Sequence, residues 1–228
     1  MKKKNVFDES PSTYEDIVNE NISMSGLDIT FFTKLKIDEF RRRLPSLGIG
    51  DNPRILDFGC GVGETLKYLK DLSNDVCGFD ISLESADLAA KRNPEVSIFS
   101  SLKELKKEKE FDIIVIVNVL HHVPPEEREE FSTQCRNLLR SGGWIFVFEH
   151  NPLNPATRYI VSNCEEDKDA SLLNRRALDS VFSSRDFQCS SVSYIGFFPF
   201  RPKLFRVFER FMFWIPFGAQ FCYLVQKK

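Results

Sequence analysis

His121, His122 and His150 are the three histidines of the chain, and each directly follows an apolar run of the kind that forms a strand. An imidazole titrates near neutrality, so a histidine at the mouth of a cleft is suited to take a proton from a reacting hydroxyl. Side-chain alternation turns one of His121 and His122 toward such a cleft and leaves the other to pack or cap. Glu149 stands beside His150 in Phe148-Glu149-His150-Asn151-Pro152-Leu153-Asn154-Pro155. There each proline keeps the residue before it out of helical geometry and turns the chain sharply. The acid reads as a base, as the group that orients one, or as a solvated turn residue. His121, His150 and Glu149 are the candidate catalytic residues.

A second constellation lies earlier. Arg54-Ile55-Leu56-Asp57-Phe58-Gly59-Cys60-Gly61-Val62-Gly63-Glu64 runs from a strand through a tight turn into a helix. Gly59, Gly61 and Gly63 let backbone approach a ligand without Cβ interference, and the amides of a starting helix point at it. The next apolar run, Val76-Cys77-Gly78-Phe79-Asp80, ends on a carboxylate 23 residues after Asp57. An acid there can accept hydrogen bonds from two ribose hydroxyls, so loop and acid together signal a nucleoside-containing cofactor. A dinucleotide fingerprint would be G-x-G-x-x-G, but Glu64 occupies its last position and the loop reads G-x-G-x-G.

These residues need a frame that brings them to one edge. From Arg54 onward, short apolar runs alternate with amphipathic stretches, the rhythm of a parallel sheet covered by helices on both faces. Strands are expected at 54–58, 75–80, 96–99, 111–117 and 143–149, and helices at about 63–71, 83–92, 102–107, 125–139 and, after a loop over 150–170, 171–183. Residues 186–195 and 218–226 read as two final strands, and Ile113-Ile114-Val115-Ile116-Val117 reads as the central buried strand. In such a fold ligands bind at the carboxyl ends of the strands, where all three histidines fall. Ahead of the sheet, apolar residues from Ile17 to Phe40 at three- to five-residue spacing predict a helical cap over 14–44.

The G-x-G-x-G loop with its preceding acid resembles motif I of class I S-adenosylmethionine-dependent methyltransferases. Asp80 stands at the ribose acid of that family, Phe111-Asp112-Ile113-Ile114 resembles its fourth strand, and Asn118-Val119-Leu120-His121-His122-Val123 resembles the segment that follows in the small-molecule branch. Leu138-Leu139-Arg140-Ser141-Gly142-Gly143-Trp144 resembles the turn into the fifth strand, so four motifs match in order over residues 54–149. The resemblance implies a doubly wound, mostly parallel, seven-strand Rossmann-like α/β sheet with helices on both faces, in a single domain over 1–228. The cofactor core is then 54–149 and the acceptor side 150–228. It further implies S-adenosylmethionine as cofactor: Gly59, Gly61 and Gly63 along the methionine portion and ribose, Asp57 toward the amino group, Ile81 on the adenine face, and Asn118 at the cleft. The family often places an acid after the third strand to bind the adenine amine. Here Ser101 and Leu102 fall there instead. The Asn/Asp-Pro-Pro-Tyr/Phe signature of amino-directed relatives is absent after the fourth strand, which favours transfer to oxygen.

Composition narrows the partners. The 228 residues carry 31 Lys+Arg against 33 Asp+Glu, a net charge of −2, which argues against a grip on nucleic acid. The six cysteines form no C-x-x-C pair, so no zinc or redox motif is written, and reduced thiols fit a cytoplasmic protein. Phenylalanine is concentrated near the end, in an insert over 197–217 between the last two strands. Within it a helical wheel over 201–217 separates Leu204, Phe205, Phe208, Phe211, Met212 and Ile215 from Lys203, Arg206 and Arg210. Three readings stay open: a lid over an apolar acceptor, a peripheral membrane contact, or packing against the sheet. The acceptor expected is a small, hydrophobic or lipid-linked molecule. A nicotinamide-dependent oxidoreductase and a cofactor-binding but inactive partner subunit are the alternatives. A calorimetric titration separates the first two: S-adenosylhomocysteine is expected to bind and NADH not to, and the reverse result overturns the methyltransferase reading.

Overall fold

The structure is a computed structural model and describes residues 29–164, 170–182, 185–198, 208–209 and 211–228. Seven strands form one sheet: β1 (Ile55–Phe58), β2 (Val76–Phe79), β3 (Ser97–Phe99), β4 (Phe111–Val117), β5 (Leu139–His150), β6 (Phe187–Ile195) and β7 (Gln220–Lys227). Their spatial order is β3-β2-β1-β4-β5-β7-β6. The first five pair in parallel, while β7 lies antiparallel to both β5 and β6. The mostly parallel seven-strand sheet expected from the sequence is therefore present. Its strand order reverses between β1 and β4, the switch point where open α/β sheets leave a crevice.

Alternation along buried strands divides the core in two. Ile55, Ile113, Val115, Phe146, Phe148, Cys222 and Leu224 pack on one side with helices α1 (Ile29–Arg43), α2 (Leu66–Leu69) and α3 (Leu83–Arg92). Leu56, Phe58, Ile114, Ile116, Ile145, Val147, Phe221 and Tyr223 face the other side. That side is covered by α4 (Leu102–Leu105), α5 (Arg128–Leu138) and α7 (Arg175–Val181). Both faces are thus dry, as a parallel sheet requires.

Several local expectations shift for physical reasons. The helix read over 63–71 shrinks to α2, because Gly63 holds a left-handed φ of 85° that no helix continues through. β5 begins at Leu139 rather than 143, since Leu139 pairs with Phe111 across an irregularity eased by Gly142 at φ 73°. The loop over 150–170 contains helix α6 (Pro155–Asn163), whose Asn154 cap accepts the Thr157 amide at 3.0 Å. Of the 14–44 cap, 14–28 lie outside the described residues; α1 supplies the rest and is part of the core, with Ile37 and Phe40 buried and the Phe40 ring 4.6 Å from that of Phe146. In the insert, 199–207 and 210 lie outside the described residues. Residues 211–212 are helical but the chain turns from Phe213, ahead of Pro216, so the helix does not reach 217.

Candidate active site

The turn after β1 is built on one carbonyl and one carboxylate. Gly59 and Cys60 donate their amides to the Phe79 carbonyl at 2.7 and 2.9 Å, which locks the loop onto the end of β2. Asp80 then accepts the Gly61 amide on one oxygen at 2.7 Å and the Ser82 amide on the other at 2.9 Å. Burial holds its carboxyl above the ordinary range, and the two backbone donors offset part of that. Each oxygen retains lone-pair capacity, so the pair of acceptors fits a diol.

The three glycines separate into two kinds. A Cβ on Gly59 would lie 2.5 Å from Val119 Cγ2, and one on Gly63 would lie 2.5 Å from Asn93 Nδ2 and 3.2 Å from Ala89 Cβ. Those two are demanded by packing. A Cβ on Gly61 would meet nothing within 4 Å, so Gly61 is the one that fronts open space. Beneath the loop Asp57 is 1% exposed and neither carboxylate oxygen has a hydrogen-bond partner. Burial, with the Asp80 charge adding to it, pushes its carboxyl up to about 7. Across the crevice Asn118 takes a left-handed φ of 54°, and its side-chain oxygen is likewise buried without a partner. Buried acceptors with no partner among the described residues call for a further donor, and an ammonium group would satisfy them. Ile81 remains three-quarters exposed beside Asp80, while Ser101 and Leu102, after β3, are half-buried.

On the far side of the switch point the three histidines cluster around His121, which meets a buried acid. Glu149 is wholly buried, accepts the Leu120 amide at 2.9 Å on one oxygen, and lies 2.6 Å from His121 Nδ1 through the other. Burial works against its charge. The charge and hydrogen bond of His121, the charge of His150 and the Leu120 amide outweigh that and hold the carboxyl below its ordinary value. His121 is itself 2% exposed, with its ring centroid 4.1 Å from that of His122 and 5.4 Å from that of His150. The reading of Glu149 as a solvated turn residue is excluded by this burial. The turn beyond it is tied to the insert: Asn151 Nδ2 donates to the Pro216 and Gly218 carbonyls and Asn154 Nδ2 to that of Phe217.

Comparison with known proteins agrees with this geometry. Residues 32–192 match a family model described as a methyltransferase domain, a stretch that holds both the glycine loop and the histidine cluster. The chain belongs to that family. Methyltransferases of this kind use S-adenosylmethionine, and the unsatisfied acceptors and the Gly61 opening fit it. The plantazolicin methyltransferase BpumL in complex with SAH aligns over 97% of this chain and 92% of its own, with a TM-score of 0.66 at 18% identity. A SAM-dependent methyltransferase from Archaeoglobus fulgidus covers 86% of this chain and 94% of its own at a TM-score of 0.63 and 19% identity. Among curated proteins, a ubiquinone biosynthesis O-methyltransferase from Paraburkholderia phymatum is 30% identical over 100 residues, 41% of this chain and 42% of its own. One from Bordetella avium is 29% identical over 108 residues, 43% and 44%. The chain thus spans less than half the length of these curated relatives. The nicotinamide alternative falls.

Two polar residues at this edge escaped the sequence reading. Lys36, on α1, is 6% exposed, and Gln220, first in β7, is 4% exposed with its amide oxygen unpartnered. Helical spacing from Lys36 to Phe40, and alternation from Gln220 to Cys222 and Leu224, were the signals that both point inward.

Two outcomes test the cofactor side. Asp57 is protonated more readily in the fold than in the unfolded chain, where its pKa is roughly 4. Its contribution to stability is present below that value and is lost as pH rises through about 7. Asp57→Asn is therefore expected to stabilise the cofactor-free protein at pH 8 by on the order of 2–4 kcal/mol, with the difference closing toward pH 4 in thermal melts; a pH-independent difference refutes it. Gly61→Ala and Gly63→Ala should divide in calorimetry and denaturation. The first carries only left-handed strain of roughly 1–2 kcal/mol and weakens S-adenosylhomocysteine binding; the second adds a core clash and loses more stability. Equal losses of stability would place Gly61 in the packing set.

Proposed function

We propose that the protein transfers a methyl group to the oxygen of a small, hydrophobic or lipid-linked acceptor, with His121 as the base and Glu149 as the acid that holds it. The buried Glu149–His121 pair carries this reading. Asp57, Gly61, Asp80, Ile81, Ser101, Leu102 and Asn118 would hold the cofactor. Bound S-adenosylmethionine supplies a sulfonium methyl, whose carbon–sulfur bond breaks as the acceptor's new carbon–oxygen bond forms and leaves a neutral thioether.

The chain's own part is alignment, exclusion of water and removal of one proton. Glu149 occupies His121 Nδ1, so the basic lone pair belongs to Nε2, and the imidazolium that forms is balanced by the carboxylate behind it. His150, in ring contact with His121, completes the polar lining. The apolar character of the acceptor is supported by Phe211, Trp214 and Phe217, which are exposed in and just ahead of the segment that Asn151 and Asn154 tie to the end of β5. Exposure of Phe208 and Phe211 disfavours plain packing of the insert and leaves the lid and the peripheral membrane contact through 201–217, at the cytoplasmic side.

His121→Asn tests the base, because an amide nitrogen can still donate to Glu149 and keep the buried charge paired. Turnover is expected to fall by about 10²–10⁴ while S-adenosylhomocysteine affinity stays nearly constant. Glu149→Gln should give a comparable loss and His150→Ala a milder one. Uniformly mild effects on turnover across all three would sink the base assignment.

A further inference from the structure

Lys36, on α1, and Gln220, on β7, are both buried toward the acceptor edge. β7 runs antiparallel to β5, so its first residue, Gln220, lies at the carboxyl edge directly opposite His150, and the two side chains share a sheet face. Ile195 pairs with Gln220 on its other side. α1 lies over this corner: Leu35 packs with Ile195, and its Cδ1 would be 3.6 Å from a Cβ on Gly196. Lys36, the next residue, is buried there. Burial lowers its pKa to about 8, and the charge that opposes the shift is that of Glu149. Both Glu149 oxygens are already engaged, by the Leu120 amide and His121. Among the described residues no carboxylate lies within ion-pair distance of Lys36. A buried lysine and a buried amide oxygen that has no partner among the described residues are costly to keep near the proposed base unless a ligand engages them.

We propose that Lys36 and Gln220 bind the acceptor, and that the acceptor is an oxygen acid, a phenol, enol or carboxylic acid, held as its anion. This rests on the methyltransfer reading and names its substrate class. The oxyanion is balanced by Lys36 while the proton removed from a phenol or enol sits on His121 and is balanced by Glu149. A carboxylic acid arrives already ionised and leaves His121 without a proton to take. Transfer of the methyl group neutralises the anion, so the product ester or ether loses its hold on Lys36.

The test uses the full chain loaded with S-adenosylhomocysteine and calorimetric binding of decanoate, 4-hexylphenol, decanol and decylamine. One or both acids should bind at least tenfold more tightly than decanol and decylamine. Lys36→Met should abolish that preference, leave S-adenosylhomocysteine affinity unchanged and raise the melting temperature, because it removes a buried amine; Lys36→Arg should restore part of the preference. Gln220→Leu should weaken the preferred acid while keeping the fold. With labelled cofactor, dependence on His121 separates a phenol from a carboxylate. Equal binding of acid and alcohol, no binding of either, or an acid preference that survives Lys36→Met overturns the proposal. Failure of S-adenosylhomocysteine to bind instead sinks the methyltransferase reading beneath it.

Discussion

A fully buried carboxylate at the end of the fifth strand governs how the acceptor edge is built. Left alone, the charge of Glu149 would cost several kcal/mol, so it must collect donors from its surroundings. It takes the Leu120 amide and His121 Nδ1, both from the segment after β4, and thereby fastens that segment to β5. The fastening propagates. Val119 is brought against Gly59, which explains the glycine there, and Asn118 is held in a left-handed conformation with its side-chain oxygen facing no donor. One buried hydrogen-bonded pair thus positions the proposed base, the wall of the glycine loop and part of the crevice lining.

The cofactor side follows the opposite rule. Asp80 is supplied with backbone donors, whereas Asp57, almost equally central, is left with none. The first is organised by the backbone alone, and the second leaves a deficit that a ligand would fill. A site that binds a cationic, diol-bearing molecule needs both: fixed acceptors to define orientation, and an unsatisfied acid whose deficit the cation relieves.

Much of this was legible in the sequence because it rests on local chemistry. β-branched runs marked the strands, and the glycine loop with Asp80 marked the cofactor edge. α6 was hidden because Asn154-Pro155 was read as a breaker, although asparagine followed by proline is also a cap followed by the first helical residue. Which of Gly59, Gly61 and Gly63 fronts the ligand was not legible, since it depends on Val119 and Asn93, distant in the chain. Lys36 was hidden for a related reason. Its spacing to Phe40 marks an inward face, but a lone lysine there still reads as a solvated end until the element covering it is known. Glu149 could be flagged beside His150, but its bond to His121 spans 28 residues and belongs to the sheet alone.

The place of β7 bears on how the polypeptide matures during synthesis. It follows β6 in chain order, yet it sits between β5 and β6 rather than at an edge. Until residues 220–227 leave the ribosome, β5 has a vacant hydrogen-bonding flank along Trp144 to His150, and β6 has no neighbour to join. The nascent chain therefore carries an open, apolar strand edge from the emergence of β5 until that of β7, the state in which intermolecular pairing is most dangerous. Closure waits on β7 and docks two strands together. Any nonsense change within the final strand would release a chain whose cofactor loop is complete but whose sheet remains sticky.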